Sequence, residues 1–358
     1  MLKKLVSCVL ICSLICLSFC SCSSNQREQG DKNSLNKYSA SYIEYFDTFC
    51  TVVGYEETKE EFDKVAKNIE EQLAEYNRLY DIYKAYDGVN NIYTINKNAG
   101  KEPVKVDSKI IDLIDYSGQL FELTDGTVNI AMGSVLSIWH DYRNRYADDT
   151  ENAKLPDINI LKSASNHTDF TKVMIDREKS TVYLSDSQMS LDVGSVAKGY
   201  ATEQIAKSLI ANGVKNYALN FGGNIRTIGT KGDGTVWKAA VTNPNKQSEK
   251  PYLMSVKLTD QTFVTSGSYE RFYTVDGVRY HHIIDPNTLM PNNTFTSVSI
   301  LAEDSALADV LSTALFNMTY DEGKRLIDGI KDTEALWVTA NGELLYSNNF
   351  KDSVSEYY

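Results

Sequence analysis

The sequence Leu191-Asp-Val-Gly-Ser-Val-Ala-Lys-Gly-Tyr200 lies in the middle of the chain, where the pattern predicts the start of an amphipathic helix. It places a carboxylate, a small Gly-Ser turn and a lysine in close succession. Backbone N–H groups at the start of a helix, with a nearby ammonium group, are suited to bind a phosphate group or its metal ion. Taken alone, the stretch predicts an anion site of unspecified identity.

The composition limits the class of protein to which the chain can belong. The formal net charge is -12 and the sequence pI is about 4.9, which argues against a nucleic-acid partner because such a partner needs a basic face. All the cysteines except Cys50 fall within the first 22 residues. A disulfide framework and a cysteine-based metal site are therefore excluded.

A short basic and apolar segment opens the chain. Lys3 and Lys4 precede an apolar run over residues 5–19, and small residues follow it. This run is shorter than the about 20 apolar residues that a membrane-spanning helix needs. The pattern therefore predicts an export signal over residues 1–22 rather than a permanent membrane anchor.

The end of this segment, Leu17-Ser-Phe-Cys-Ser-Cys22, resembles the bacterial lipobox, in which the cysteine after the cleavage site is lipidated. Cys22 is the favoured position, because the bulky Phe19 directly precedes the alternative, Cys20. Residues 23–38 are polar and charged, and we expect them to form a flexible tether. The sequence thus predicts an exported protein that a lipid anchors to the outer, extracytoplasmic face of the cell membrane.

Local patterns predict several individual elements. Thr58-Lys-Glu-Glu61 is a capping box ahead of apolar residues at helical spacing, and Asp276-Gly277 suits the type I′ turn of a hairpin. Residues 46–55 are predicted to form a strand and residues 83–100, rich in Asn, Asp and Gly, a loop. A helix is expected over residues 196–212.

The order of these elements predicts the fold class. Helices mix irregularly with antiparallel hairpins, which favours an α+β fold with mixed, largely antiparallel sheets and packed helices over a doubly wound parallel sheet. We expect residues 39–350 to form one catalytic unit of two intimately packed lobes, followed by a C-terminal tail at residues 351–358.

Asp309 and Thr313 are four residues apart on a predicted helix and therefore share one face. A carboxylate and a hydroxyl are hard oxygen ligands, which suit Mg²⁺ rather than zinc. Without further evidence, a helix cap followed by an ordinary polar position explains this pair better than a metal site does.

Two glycine-containing segments are candidates for ligand contact. In Asn220-Phe-Gly-Gly-Asn224 the paired glycines would let the backbone approach a ligand, although such pairs more often only turn the chain. Asn129-Ile-Ala-Met-Gly-Ser134 offers small residues on which a flat ligand could lie, and plain packing is its simpler explanation.

A hairpin around Asp276-Gly277 would bring His282 and Asp285 toward Ser266. Hydroxyl, imidazole and carboxylate together suggest a serine hydrolase, but no Gly-x-Ser-x-Gly motif surrounds Ser266, so we disfavour that triad. His282 could serve as a general base at neutral pH, or be a structural histidine with satisfied hydrogen bonds.

Taken together and in this order, the motifs closely resemble the ApbE family of FAD:protein FMN transferases. The matching segments are Leu191–Tyr200, Leu219–Asn224, Val264–Gly267, His282–Pro286 and Ala308–Phe316. The resemblance extends from about residue 46 to residue 347. The chain departs from the family pattern at Phe46-Asp-Thr48, where Met-Gly-Thr is common, and at Met132-Gly-Ser134, where Gly-Pro is usual.

The resemblance implies an ApbE-like, T-fold-related catalytic unit that binds FAD with Mg²⁺ on the pyrophosphate. A Thr or Ser hydroxyl of a partner protein would attack the FMN phosphorus, and AMP would leave. Asp309 and Thr313 would hold Mg²⁺ by their side chains, and Ser195 by its backbone carbonyl. His282 would deprotonate the incoming hydroxyl or stabilise the departing phosphate.

The resemblance also implies which residues contact FAD and which partner accepts FMN. Lys198 would reach the dinucleotide, and Asp192 would accept hydrogen bonds from it. The full set of implied FAD contacts is Phe46, Tyr83, Ala131, Met132, Gly133, Asp192, Lys198 and Ile283. The expected acceptor is an exported or membrane-bound flavoprotein. An FAD pyrophosphatase that forms FMN and AMP, and a non-catalytic FAD-binding lipoprotein, remain as alternatives.

Overall fold

The computed structural model describes residues 35–358. The predicted signal peptide and residues 23–34 of the predicted tether lie outside this range. The first strand begins at Asn36 and pairs with residues as far along as Glu56, so the end of the predicted tether belongs to the folded domain instead. Within residues 35–358, no helix has both the length and the apolar character needed to cross a membrane.

The strands and helices are numbered in chain order. The strands are β1 (Asn36–Tyr45), β2 (Thr48–Glu56), β3 (Val104–Lys105), β4 (Val173–Asp176), β5 (Thr181–Leu184), β6 (Tyr217–Phe221), β7 (Asn224–Ile228), β8 (Trp237–Thr242), β9 (Tyr252–Leu258), β10 (Thr262–Gly267), β11 (Phe272–Val275), β12 (Val278–His281), β13 (Phe295–Ala302), β14 (Glu334–Thr339), β15 (Leu344–Tyr346) and β16 (Val354–Tyr357). The α-helices are α1 (Lys59–Tyr80), α2 (Ile92–Lys97), α3 (Ser108–Leu123), α4 (Gly133–Tyr146), α5 (Ile158–Ser165), α6 (Ala197–Ala211), α7 (Ser305–Asn317) and α8 (Tyr320–Asp328).

The framework is an eight-stranded sheet with the order β1-β2-β6-β7-β10-β13-β14-β15, in which every neighbouring pair is antiparallel. Side chains alternate between its faces. Val264 on β10 packs into the core beneath α1, α6 and α7, whereas its neighbour Phe263 packs against the small sheet β16-β9-β8. The α+β class with antiparallel sheets is confirmed, and residues 35–358 form one compact unit.

A separate apolar cluster joins α4 to the hairpin formed by β11 and β12. Trp139 of α4 and Tyr273 of β11 are both buried in it, and the indole N–H of Trp139 donates to the carbonyl of Leu289 at 3.0 Å. The hairpin turn at Asp276-Gly277 has φ angles of 49° and 80°, as the type I′ prediction requires. This cluster fixes the end of β12 beside α4.

The predicted strand over residues 46–55 is wrong at its start. Phe46 and Asp47 form the turn between β1 and β2, with φ angles of 53° and 51°, and β2 begins at Thr48. A two-residue hairpin turn of this kind needs positive φ at both positions, which aspartate tolerates better than phenylalanine does. The N–H of Phe46 donates to the side-chain oxygen of Asn77 at 2.8 Å and so helps to hold the turn.

Two further expectations need correction. The predicted loop over residues 83–100 contains the short helix α2, which Asn91 caps by accepting from the N–H of Thr94 at 3.1 Å. Only two of its residues are buried, so it has almost no apolar periodicity to reveal it. The predicted tail at 351–358 is an ordered edge, because β16 pairs with β9 in the small sheet.

Helices α6 and α7 approach each other closely at Gly199. A Cβ atom at this position would lie 2.4 Å from the Cβ of Asp309 and 2.4 Å from the carbonyl oxygen of Ser305. Contacts this short do not occur between real side chains, so a larger residue would push the helices apart. Glycine is therefore required here by packing rather than by backbone conformation.

Replacing Gly199 with alanine is expected to lower the free energy of unfolding by about 1–3 kcal/mol, since it overpacks this contact. Gly329→Ala is the matched control: its φ is -88°, and a Cβ there would meet nothing closer than 3.4 Å. Urea unfolding followed by circular dichroism measures both variants. Equal stabilities would contradict the close approach of α6 and α7.

Candidate functional site

The carboxylate of Asp309 is the point at which three separate segments meet. Asp309 lies on α7 and is only 4% exposed. Its Oδ2 atom accepts from the N–H of Gly199 at 2.8 Å and from Nδ2 of Asn224 at 3.2 Å. Lys198 Nζ lies 3.3 Å from the same oxygen. The structure thus brings together the motifs at residues 191–200, 219–224 and 308–316.

The glycine pair before Asn224 has a structural role. Gly222 and Gly223 form the turn between β6 and β7, with φ angles of 61° and 92°, and the N–H of Gly223 donates to Oδ1 of Asn220 at 3.0 Å. These positive φ angles favour glycine at both positions. The turn delivers Asn224, which is 1% exposed, to the carboxylate of Asp309.

Ser195 lies just before α6, whose N-cap is Val196. Gly199 therefore belongs to the first turn of α6, where the N–H groups have no acceptor within the helix. The N–H of Gly199 donates to Asp309 of α7. Ser195 thus lies four residues before the point at which α6 contacts the carboxylate of Asp309.

Thr313 lies one helical turn after Asp309, and its hydroxyl donates to the Asp309 carbonyl at 3.3 Å. A carboxylate, a hydroxyl and a backbone carbonyl are the oxygen donors that Mg²⁺ prefers, with phosphate oxygens and water completing its octahedron. Across residues 35–358, no group of three or more His, Cys, Asp or Glu side chains is arranged to hold a metal ion. The donor types at Asp309, Thr313 and Ser195 suit Mg²⁺, which would need further oxygen ligands from a bound molecule or from water.

The segment Ala131–Gly133 lies directly beside the motif that contains Asp192. The N–H of Asp192 donates to the carbonyl of Ile130 at 2.7 Å, and the N–H of Gly133 donates to the carbonyl of Ser190 at 3.0 Å. A Cβ on Gly133 would lie 2.5 Å from that same carbonyl oxygen. This close pairing explains the glycine and brings the predicted contacts Ala131, Met132 and Gly133 next to Asp192.

His140, which the sequence analysis missed, connects two of the predicted residues. Its Nε2 atom lies 3.7 Å from Oδ2 of Asp192, and its Nδ1 atom lies 3.3 Å from the hydroxyl of Tyr83. Burial lowers the pKa of His140. His140 is seven residues after Gly133, on the same face of α4, so a correct prediction of that helix would have identified it.

Two arginines were also missed. Arg143 lies on α4 one turn after His140, and Arg271 lies between β10 and β11, where its Nη2 donates to the carbonyl of Asp47 at 3.4 Å. Burial and the charge of Arg271 lower the pKa of Arg143. No carboxylate of the described chain forms an ion pair with either guanidinium. Neighbouring cations that form no ion pair favour the binding of an anion.

The adjacent histidines His281 and His282 have different surroundings. His281 is 1% exposed, its Nε2 lies 3.0 Å from the carbonyl of Asn292, and its Nδ1 accepts from the N–H of Ile283. It is therefore a satisfied structural histidine. Nδ1 of His282 is buried and has no hydrogen-bond partner within residues 35–358.

The pKa of His282 is lowered to about 3, mainly by burial and further by Arg271 and Arg143. Its imidazole is therefore neutral at pH 7. The backbone N–H of His282 donates to the backbone carbonyl of Arg271 at 3.0 Å, and this bond holds His282 beside Arg271. A neutral ring with an unpartnered nitrogen can accept a proton from a reacting hydroxyl.

The hydrolase triad that we disfavoured does not form. The hydroxyl of Ser266 pairs with that of Ser312 at 2.7 Å, and the carboxylate of Asp285 accepts from the N–H of Asn287 and the hydroxyl of Thr288. Both groups are thus engaged in other contacts, away from His282.

The remaining predicted FAD contacts lie in different settings. The side chain of Tyr83 is 58% exposed beside His140, and Phe46 lies in the β1–β2 turn. Ile283 is 4% exposed and packs in the main core, and its N–H already donates to His281. The side chain and the N–H of Ile283 are thus both engaged within the protein.

Comparison with known proteins identifies the family of the chain. The model of the ApbE family matches residues 46–337. The FAD:protein FMN transferase of Treponema pallidum is 31% identical over 360 residues, which cover 97% of this chain and 94% of that protein. The crystal structure of the ApbE protein from Thermotoga maritima covers 90% of this chain and 100% of its own, with 28% identity and a TM-score of 0.77.

The flavin transferase ApbE from Vibrio cholerae has the same fold, with a TM-score of 0.75 at 23% identity over 89% of this chain and 99% of that structure. The family match spans most of the chain and includes the segments that meet at Asp309. The chain therefore belongs to the ApbE family.

Proposed function

We propose that this protein is an Mg²⁺-dependent FAD:protein FMN transferase that moves FMN from FAD to a Thr or Ser hydroxyl of a partner flavoprotein and releases AMP. The observation that carries the proposal is the convergence of Lys198, Gly199 and Asn224 on the carboxylate of Asp309. The names of the relatives support the donor and the transferred group.

Asp309, Thr313 and the Ser195 carbonyl would hold the metal ion, which when bound neutralises charge on the phosphate oxygens. The chain carries a net charge of -12, so binding an anionic dinucleotide requires local positive charge. Lys198 supplies one cation at this point. Arg143 and Arg271 supply two more beside His282.

His282 acts as the general base in this proposal. Its neutral ring takes the proton of the incoming hydroxyl, whose oxygen forms the new bond to the FMN phosphorus. The bond between that phosphorus and the AMP oxygen breaks, and AMP leaves with that oxygen. Phosphoryl transfer of this kind depends mainly on positioning and charge neutralisation, which the residues around Asp309 and the arginines provide.

The proposed acceptor is an exported or membrane-bound flavoprotein. The sequence predicts an export signal and a lipidated Cys22, or less favourably Cys20, which would hold the enzyme at the outer face of the membrane. An enzyme in that location meets acceptors on the same side of the membrane.

Incubation with FAD, Mg²⁺ and a flavin-accepting protein, followed by mass spectrometry, tests the proposal. A mass gain equal to FMN on a Thr or Ser of the acceptor, with stoichiometric AMP, supports it. Release of AMP without that gain would show a pyrophosphatase instead. Bound flavin that Mg²⁺ leaves chemically unchanged would show an FAD-binding protein without activity.

Asp309→Asn keeps the shape of the side chain and an oxygen that accepts from Gly199, but removes the charge. We expect Mg²⁺-dependent AMP release to fall about 100-fold or more. Residues that only orient a metal ligand typically cost about 10- to 100-fold, and loss of the ligand itself should cost at least as much. Asp328→Asn, an exposed partner of Lys324, is the control and should retain full activity. Full activity in Asp309→Asn would overturn the metal assignment.

His282→Ala is expected to slow FMN transfer by about 10²- to 10⁴-fold, the usual contribution of a general base, while FAD affinity changes little. His281→Ala is the contrasting variant. It removes a satisfied buried ring, so it should lower the melting temperature while activity per folded molecule persists. Flavin fluorescence titration separates the two effects, and loss of FAD binding in His282→Ala would make His282 a ligand contact instead.

Arg143→Gln is expected to raise the KM for FAD about 10-fold, because a charge-assisted contact to an anionic group is lost. Arg145 lies on the same helix but is exposed and sits over the rings of Tyr142 and Tyr146. Arg145→Gln should therefore leave the KM unchanged. Equal KM values for both variants in steady-state assays would exclude Arg143 from FAD binding.

A further inference from the structure

A second set of residues lies next to the set around Asp309 on the same three elements. On α6, Glu203 follows Gly199 by four residues, and on α7, Ser305 precedes Asp309 by four residues. Residues spaced by four share one face of a helix. On β7, Arg226 follows Asn224 by two residues and therefore points to the same face of the sheet.

This second set is connected as closely as the first. Glu203 is 2% exposed, and its Oε2 atom accepts from the N–H of Ser305 at 2.9 Å and from Nε of Arg226 at 2.9 Å. Arg226 is 6% exposed, and its Nη1 also donates to the carbonyl of Thr227 at 2.6 Å. We call Glu203, Arg226 and the N–H of Ser305 the helix clamp.

The helix clamp and the Asp309 contacts are reciprocal. Asp309 of α7 accepts a backbone N–H from α6, at Gly199, whereas Glu203 of α6 accepts a backbone N–H from α7, at Ser305. Each helix thus provides one carboxylate that accepts from the other helix and one backbone N–H that donates to it. Two such bonds, one turn apart, prevent sliding and rotation between the helices at the level of Asp309.

Stability alone does not account for the helix clamp. A buried ion pair can often be replaced by apolar residues of similar volume without loss of stability, although removing one partner is costly. The first N–H groups of α7 also have another cap, because Asp304 already accepts from Ala306 and Leu307. The distinct contribution of Glu203 is to tie the start of α7 to both α6 and β7.

We propose that Glu203 and Arg226 are positioning residues that hold the Asp309 carboxylate in the geometry needed for metal binding. The inference rests on the proposed function, since it concerns the same metal site. Among the described residues, neither Glu203 nor Arg226 forms a hydrogen bond or ion pair with Asp309, so they would act through the position of α7. Residues that orient a metal ligand from outside typically change metal affinity by about 10- to 100-fold.

Binding of Mn²⁺ to the full chain in the presence of saturating FAD tests this role without an activity assay. Mn²⁺ shares the oxygen-ligand preference of Mg²⁺, and electron paramagnetic resonance measures the free ion. Glu203→Gln should raise the Mn²⁺ Kd about 10- to 100-fold. Asp309→Asn defines the signal expected when the site is lost.

Tyr217→Phe is the matched control for destabilisation. Tyr217 lies on β6 and is buried, and its hydroxyl donates to Glu56 on the neighbouring strand β2 at 2.9 Å. The variant removes this hydrogen bond and should leave the Mn²⁺ Kd unchanged. If Glu203→Gln and Tyr217→Phe lower the melting temperature similarly and change the Kd equally, the helix clamp has no positioning role.

The double variant Glu203→Met with Arg226→Met separates positioning from stability further. It removes both charges, so the melting temperature should recover relative to Glu203→Gln. The N–H of Ser305 still lacks its carboxylate, so the Kd should stay raised. A Kd that returns to the wild-type value would overturn the inference. If the wild-type protein binds Mn²⁺ no better than Asp309→Asn does, the proposed metal site fails instead.

Discussion

The hydrogen bond from the N–H of Gly199 to Asp309 is the interaction on which the rest of the site depends. It requires a glycine, because a Cβ would lie 2.4 Å from Asp309 and from Ser305. It also satisfies an N–H in the first turn of α6, which has no acceptor within that helix. A single bond thus joins two helices, caps the start of α6 and fixes the carboxylate.

Positive side chains around the site offset, locally, the strong negative net charge of the protein. A protein with a net charge of -12 repels an anionic substrate unless cations are placed locally. Arg143, Arg271 and Lys198 provide them, and all three oppose protonation of His282. A bound phosphate would offset these charges, so proton uptake by His282 becomes more favourable once the substrate is present. In the proposed mechanism these cations keep His282 neutral before binding, and a bound phosphate would weaken their effect afterwards.

Local patterns in the sequence predicted the elements whose signals are local. The capping box at Thr58 and the turn at Asp276-Gly277 formed as expected, because neighbouring residues determine both. Strand β1 was missed because it is half exposed, and α2 because it is short. The spacing of His140 from Gly133 would have placed it on the same face of α4, whereas Arg143 gave no signal in the sequence, since its importance arises only when α4 docks against the β11–β12 hairpin.

For the site residues, too, the sequence predicted only what local spacing determines. Spacing alone placed Asp309 and Thr313 on one face of a helix, and the structure agrees. The suggested role of the Ser195 carbonyl came from family resemblance, because no side-chain pattern can indicate a backbone ligand. The bond between Gly199 and Asp309 joins residues 110 positions apart, so it becomes visible only when α6 and α7 are seen together.

The two layers of contacts follow from the dimensions of regular structure. Four residues of an α-helix rise by about 6 Å, and two residues of a strand by about 6.6 Å. A helix packed on a strand can therefore make contacts at two successive levels. At one level of α6 and β7, Glu203 binds Arg226, and at the other, Gly199 and Asn224 both donate to Asp309. A shift by one residue in any of these elements would break both levels at once. The helix clamp and the contacts to Asp309 thus make the register of α6, α7 and β7 an all-or-none property of the fold.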